Sequence, residues 1–306
     1  MTTSAPIPPS MTYARELAVA LDAARLAAAA ILPFYNARNA ETYTKGDGSP
    51  VTDADLASDR IITETISAAF PDDAILTEEG AKDQTRIENA RCWIADPLDG
   101  TQQFVAGTDR FEVLLALTVD HRPVVAVSIH PPSGITHAAV AGEGAWRIEG
   151  DTLERWTIAA PQDPPRLAPS KWYRGRDEAG QATIARVAEE IGAVVEPVLE
   201  IGYQPMAFDE TMRSYDAFMG LWPIASTGFA QEWDIAACDL ITNEAGGRFT
   251  DMWGRLHHYN KVTTAISGGI LASSSPELHE GLLAAFANER PSTPPPVDPI
   301  NGLEEV

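Results

Sequence analysis

The stretch Cys92-Trp93-Ile94-Ala95-Asp96-Pro97-Leu98-Asp99-Gly100-Thr101 constrains this chain more than any other. Its apolar start reads as a strand covered on both faces, which delivers Asp96 at its carboxyl end. Pro97 has no N–H for a sheet ladder, so the strand is predicted to stop there. Asp99 follows within one tight turn, so both carboxylates can face one point, and the turn leaves the Leu98 carbonyl free. Gly100 lets backbone approach a ligand closely. The N–H groups of Gly100 and Thr101 then open the next helix, where an anion is favoured. An ordinary Asp-Pro turn with an Asx cap uses the same residue types. The buried strand in front of it shifts the reading towards a divalent-cation site.

Three other acidic segments accompany it. Glu78-Glu79 ends a short strand predicted over 74–77, and adjacent acids repel unless they are solvated or cation-bound. Asp234, in Trp233-Asp234-Ile235-Ala236-Ala237, opens a helix predicted over 234–245, where a plain N-cap role would suffice. Asp55, in Val51-Thr52-Asp53-Ala54-Asp55, has capping-box spacing from Thr52. Each segment has a structural explanation by itself. Together they make a hard-oxygen donor set without a Cys/His cluster, which suits Mg²⁺. Two such ions about 3.5–4 Å apart would serve phosphoryl transfer.

The rest of the chain organises around this set. A first helix is predicted over 11–34, with Leu17, Leu21, Ala24, Ala28 and Leu32 on one face and Pro33 ending it. A polar loop at 43–50 carries Lys45 and two glycines and is expected to be mobile. A second helix starts near Thr52 and buries Ile62, Ile66 and Phe70. Strands follow at 111–119 and 123–130, with Asp120-His121-Arg122 as the hairpin turn, and 135–148 continues a largely antiparallel sheet. The second half alternates instead: helix 177–192, strand 193–199, helix 205–219, strands near 248–250 and 265–272, and helix 276–288. The divisions expected are a loose N-terminus (1–10), an N-terminal α+β half carrying most of the candidate ligands (11–150), a C-terminal α/β half (151–290), and a disordered Pro-rich tail (291–306). A layered α+β or α/β architecture is implied, with the halves meeting at a cleft.

Composition removes several classes of function. Lys and Arg total 22 against 44 Asp and Glu, a formal net charge of −22. A nucleic-acid polymer is disfavoured as the main partner because its phosphates need a basic face. An anionic membrane surface is disfavoured for the same reason. The apolar stretch 17–32 contains Asp22 and Arg25 and reads as an amphipathic helix, not a membrane span. Cys92 and Cys238 make no disulfide framework and read as buried thiols; with no signal peptide visible, the expectation is a cytoplasmic protein.

The set Asp96-Pro-Leu-Asp99-Gly-Thr101, with Glu78-Glu79 upstream and Trp233-Asp-Ile-Ala-Ala237 downstream, resembles the inositol monophosphatase superfamily of Mg²⁺-dependent, Li⁺-sensitive phosphatases. The resemblance spans Lys45 to about Tyr259. It implies an αβαβα sandwich and two or three Mg²⁺ ions. Glu78 and the Leu98 carbonyl would bind the first ion, Asp96 would bridge two, and Asp99 and Asp234 would hold the second. Thr101, paired with Asp55, would orient the attacking water. Gly100 and Thr101 N–H groups would hold phosphate oxygens, and Lys45 lies in the segment that matches the family's mobile loop. Glu79 is implied as a supporting acid. The segments 45–55, 78–86 and 251–260 look most like bacterial nucleotidases acting on 3'-phosphoadenosine 5'-phosphate, whereas 199–203 and 226–232 are atypical of them. Inositol, histidinol or another sugar monophosphate is the alternative substrate, and a homodimer is the implied assembly.

Other readings fit less well. Haloacid-dehalogenase-like phosphatases place one residue, not two, between their aspartates. An inactive binding protein on the same fold is not favoured, since every ligand type is present. His257-His258 would point to opposite sides of a strand and read as loop or edge residues. Trp146, Trp156, Trp172 and Trp222 read as core or interface residues, and Arg110, Lys171, Arg174 and Arg176 as surface charges.

Overall fold

A computed structural model describes residues 11–46, 48–80, 83–169, 178–196, 204–220, 230–288 and 290. The expected loose N-terminus and Pro-rich tail lie outside the described residues. So do Lys171, Trp172, Arg174, Arg176, Trp222, the segment 199–203 and most of 226–232.

Helices α1 (Ala14–Ala37) and α2 (Asp53–Ala69) come first. Between them β1 (Thr42–Thr44) and β2 (Pro50–Thr52) pair antiparallel, so the expected loop is the arm of a hairpin. A seven-stranded sheet follows, in the order β3 (Ala74–Thr77), β4 (Arg91–Asp99), β5 (Glu112–Val119), β6 (Arg122–His130), β7 (Ile135–Val140), β8 (Gly144–Glu149) and β9 (Thr152–Trp156). Only β3 and β4 run parallel within it. The short helix α3 (Thr101–Ala106) leaves the end of β4. The sheet continues past the expected half-boundary at 150, because β9 pairs with β8.

A five-stranded mixed sheet has the order β11 (Val194–Val195), β10 (Arg166–Pro169), β12 (Ala217–Met219), β14 (Leu271–Ser273), β13 (Arg248–Thr250). Helix α4 (Glu178–Ile191) precedes β11, α5 (Glu232–Glu244) precedes β13, and α6 (Pro276–Ala285) follows β14.

Three apolar clusters define the layers. Leu17, Ala24, Ala27 and Ile31 of α1 and Ile62 and Ile66 of α2 pack with Trp93, Val113, Leu115 and Val127 of the first sheet. The opposite face of that sheet, with Cys92, Ile94, Leu114 and Ala126, packs with Ile235, Ala236, Cys238 and Ile241 of α5 and with Phe218, Phe249 and Ala272 of the second sheet. The far face of the second sheet packs Leu167, Ala217 and Leu271 against Ile184 and Val187 of α4 and Leu282 of α6. The order is therefore αβαβα, with α5 as the central layer. That position explains why every residue from Ile235 through Thr242 of α5 is buried, Asp239 and Thr242 included, with no side turned to solvent.

Several local expectations differ from the structure. Helix α1 runs through Pro33 to Ala37, where Arg38 adopts left-handed φ 53°. The buried face of α1 is lined mostly by alanines, and Leu32 is only partly buried. Among the described residues α1 is the helix long and apolar enough to cross a membrane, and its Ala20, Ala23, Ala27 and Ile31 are packed into the first cluster. Strand β4 continues through Pro97 to Asp99. Its parallel partner β3 has ended by then, and the β5 ladder skips from Asp96↔Leu114 to Asp99↔Glu112, so no N–H is required of Pro97. The expected helix over 205–219 is a 3₁₀ turn (Pro205–Phe208) followed by β12. Every residue of β12 is buried, so it lacks the alternation that marks a half-exposed strand. The β5–β6 hairpin turns on Asp120 and His121, both at positive φ, as a tight two-residue turn requires.

Candidate metal centre

Alternation along β4 decides where Asp96 goes. Cys92 and Ile94 face α5, while Trp93 and Ala95 face α1 and α2. Asp96 continues the first set, directed towards the layer that holds α5. It is fully buried, and its Oδ1 accepts the Leu98 N–H at 3.0 Å. Burial raises its pKa well above the ordinary carboxylate range, and the charges of Glu78, Asp99 and Asp234 raise it further.

Asp99 leaves the irregular end of β4. Gln204 donates its amide N–H to Asp99 Oδ2 at 2.6 Å. Burial lifts Asp99 to about 7, with Glu78 adding to the rise and the bonds from Gln204 and the Gly100 N–H opposing it. Asp234 lies in the first turn of α5. It caps that helix from inside, not from the N-cap position: Gln231 is the N-cap, and Asp234 is the third helical residue, whose Oδ2 accepts the Gln231 N–H at 2.7 Å in a capping box. Burial raises Asp234 as well, followed by Asp99 and Glu78.

Glu78 and Glu79 follow β3, and the Glu78 N–H donates to Ala95 O at 3.2 Å, extending the pairing with β4. Lys45, at the end of the β1–β2 hairpin arm, brings its Nζ to 2.5 Å from Glu78 and 2.6 Å from Glu79. Burial pulls the Lys45 ammonium down, but the two glutamates outweigh it and raise its pKa. Glu79 is raised by burial and by Glu78, against the pull of Lys45.

The remaining expected pair also meets. Asp55 closes a capping box at the start of α2, accepting from the Thr52 N–H at 2.8 Å and from the Thr52 hydroxyl at 2.5 Å. Its other oxygen accepts the Thr101 hydroxyl at 2.9 Å, and that hydroxyl also lies 3.2 Å from Leu98 O. Burial raises Asp55 despite the bonds from Thr52 and Thr101. Gly100 has φ +94°, and a Cβ there would stand 2.7 Å from Arg110 O, so only glycine fits this turn.

The structure thus joins Lys45, Glu78, Asp96, Asp99 and Asp234 in one electrostatic neighbourhood, with Asp55, Leu98, Gly100 and Thr101 bonded along its edge. Among the described residues, no three His, Cys, Asp or Glu side chains converge closely enough to hold an ion as they stand. The carboxylates turn to protein donors instead. Sequence reasoning missed three contributors. Gln204 lies just before a segment read as helix, Glu112 sits in one read as plain strand, and Ser58, which donates to Pro97 O at 2.7 Å, carries no spacing signal. His257 is buried in a loop, and its unfavourable burial lowers its pKa. Trp156 is a core residue, as expected, and Trp146 is partly buried.

Residues 13–290 match the inositol monophosphatase family. The chain belongs to the inositol monophosphatase family. A histidinol-phosphatase of Chlorobaculum parvum is 29% identical over 273 residues, covering 89% of this chain and 97% of that protein. The Nus factor SuhB of Haemophilus influenzae is 32% identical, covering 77% and 84%. The 3'(2'),5'-bisphosphate nucleotidase CysQ of Aggregatibacter actinomycetemcomitans is 30% identical, covering 74% and 81%. The fold matches the solved Thermotoga maritima IMPase with TM-score 0.69 at 23% identity, covering 90% of this chain and 97% of that one. As an inositol monophosphatase family member, the chain is a phosphoric monoester hydrolase, in a family that is generally metal-dependent and acts on small phosphorylated substrates.

Proposed function

We propose that this chain is a Mg²⁺-dependent phosphomonoesterase whose ions are held by Glu78, Asp96, the Leu98 carbonyl, Asp99 and Asp234. The observation that carries this reading is Asp96, a fully buried carboxylate on which acids from three other places in the chain bear. Burying like charges together is costly unless a cation answers them. The donors are carboxylates and a carbonyl, which fits Mg²⁺. Two or three ions are the number this donor set would serve, and when bound they would supply Lewis acidity to the phosphate ester and its leaving oxygen.

The chain's own groups set the geometry of attack. The Thr101 hydroxyl donates its hydrogen bond to Asp55, so its oxygen lone pairs are left to accept from, and aim, a water molecule. The Thr101 and Gly100 N–H groups would receive phosphate oxygens; the latter would first release the Asp99 carboxylate. Lys45 would close over the phosphate from the β1–β2 hairpin. No side chain in this scheme is a covalent nucleophile.

The leading substrate is 3'-phosphoadenosine 5'-phosphate, supported by the resemblance of 45–55 and 78–86 to bacterial nucleotidases and by the CysQ relative. Histidinol phosphate is the second reading, supported by the relative that this chain spans to 97%. Inositol monophosphate is a third arm of the same test. A cytoplasmic, homodimeric, Li⁺-sensitive enzyme completes the reading; two free buried thiols accord with the first of these features. The experiment is kcat/KM with Mg²⁺ across adenosine 3',5'-bisphosphate, histidinol phosphate, inositol 1-phosphate and fructose 1,6-bisphosphate. The highest value is expected on the nucleotide. A higher value on histidinol or inositol phosphate replaces that substrate, and no phosphate release from any would make the chain an inactive binder.

A further inference from the structure

The turn that carries Gln204 is tied to the first sheet at both ends. Gln204 is 2% exposed and precedes the 3₁₀ turn Pro205–Phe208, where Pro205 fixes φ. The Met206 N–H bonds to the buried carboxyl of Glu112, the residue paired with Asp99 across the β4–β5 ladder. Glu112 is itself held by the Ser128 hydroxyl of the neighbouring strand β6. Asp209, just past the turn, accepts from His137 Nε2 at 2.9 Å on β7 and from Arg147 Nε at 2.8 Å on β8. Burial works against the charged form of Asp209, yet these partners hold its pKa below the ordinary range.

From this clamp and from the 2.6 Å bond we infer that Gln204 is a positioning residue for Asp99. It aims the Asp99 carboxylate by holding Oδ2 with a neutral donor. A carboxylate has about four lone-pair positions, so the Gln204 amide and the Gly100 N–H together still leave others open to a cation. An ammonium in the same place would fix the side chain but also cancel its charge. Gln204 fixes it and leaves the charge available.

This inference rests on Asp99 being a cation ligand in the proposed function. The test is Mg²⁺ titration of the metal-free, full-length chain by calorimetry, with thermal melting alongside, for wild type, Q204L, Q204M and D99N. Q204L is expected to bind Mg²⁺ about tenfold more weakly, the scale of losing a hydrogen bond behind a ligand. The Mg²⁺ activation constant should rise by the same factor, with a smaller change in kcat, while the Tm without Mg²⁺ stays near wild type. Q204M retains the length of the side chain without its donor. It should also weaken binding, and it serves if Q204L does not fold. Unchanged Mg²⁺ affinity in Q204L or, if that variant fails to fold, in Q204M overturns the inference. So does a loss seen only as a lowered Tm. If D99N binds weakly while the Gln204 variants bind normally, the inference fails and the proposed ligand set stands. If D99N binds normally, both fail.

Discussion

The acids of the site divide into two flanks that are held in opposite ways. On one flank Glu78 and Glu79 grip the Lys45 ammonium. On the other, Asp96, Asp99 and Asp234 are steadied only by neutral donors among their closest partners: the Leu98 N–H, the Gln204 amide and the Gln231 N–H. Lys45 reaches the second flank only as a weaker, more distant pull on Asp234. On the first flank the chain itself supplies one ammonium to two carboxylates, whereas the second keeps three raised carboxylates in a buried layer with no cation in contact among the described residues. An external cation gains most where the protein supplies geometry without charge, which is the second flank.

The sharpest way to break this contrast is D96N. Turnover should fall on the order of 10³-fold or more, the scale of removing one preorganised electrostatic group from a reacting centre. The metal-free Tm should hold or rise, because a repelling buried charge is gone. Near-normal kcat/KM would remove Asp96 from the chemistry.

A second test uses pH. Asp99 titrates near 7 in the folded chain against an ordinary value of 3.8, so folding favours its protonated form. That contribution to stability is complete below pH 3.8 and is lost as pH rises through about 7. Buried histidines such as His137 have lowered pKa values and slope the other way, so the measurement is the Tm difference between wild type and D99N without metal. The wild type should lose ground to D99N between pH 4 and 7, and excess Mg²⁺ should shrink the gap. A constant difference across that range would mean that Asp99 is already compensated.

The smallest effect is expected at Lys45. K45M removes a part-exposed ion pair that a cation at Glu78 must displace, a contact worth about 1 kcal/mol, so Mg²⁺ should bind about fivefold tighter. Calorimetry on the metal-free chain would show it. Weaker binding would mean that the ammonium helps to hold the ion site open instead of competing for it.

The legible parts of the site were those written locally. Asp96 through Thr101 lie within one strand and one turn, and Thr52 with Asp55 within one helix start, so spacing alone brought them out. That sheets and helices are layered was also readable, because a strand apolar at every position needs cover on both faces; the αβαβα order itself came only with the family resemblance. What escaped depended on partners distant in sequence. Pro97 stays in β4 because β3 ends before it and the β5 ladder skips past it. The segment 217–219 is a strand because β10 and β14 flank it, although its residues would serve a buried helix equally well. Gln204 meets Asp99 across 105 positions of sequence, and no local pattern marks a glutamine for that task.

Asp55 answers to two masters. One of its oxygens secures the first turn of α2 through Thr52, and the other receives the Thr101 hydroxyl. Alanine at this position would fray a helix and release the Thr101 side chain at one stroke, so its effect on rate could not be apportioned. Asparagine keeps a capping oxygen while shedding the charge, and the pair of variants read together separates architecture from chemistry.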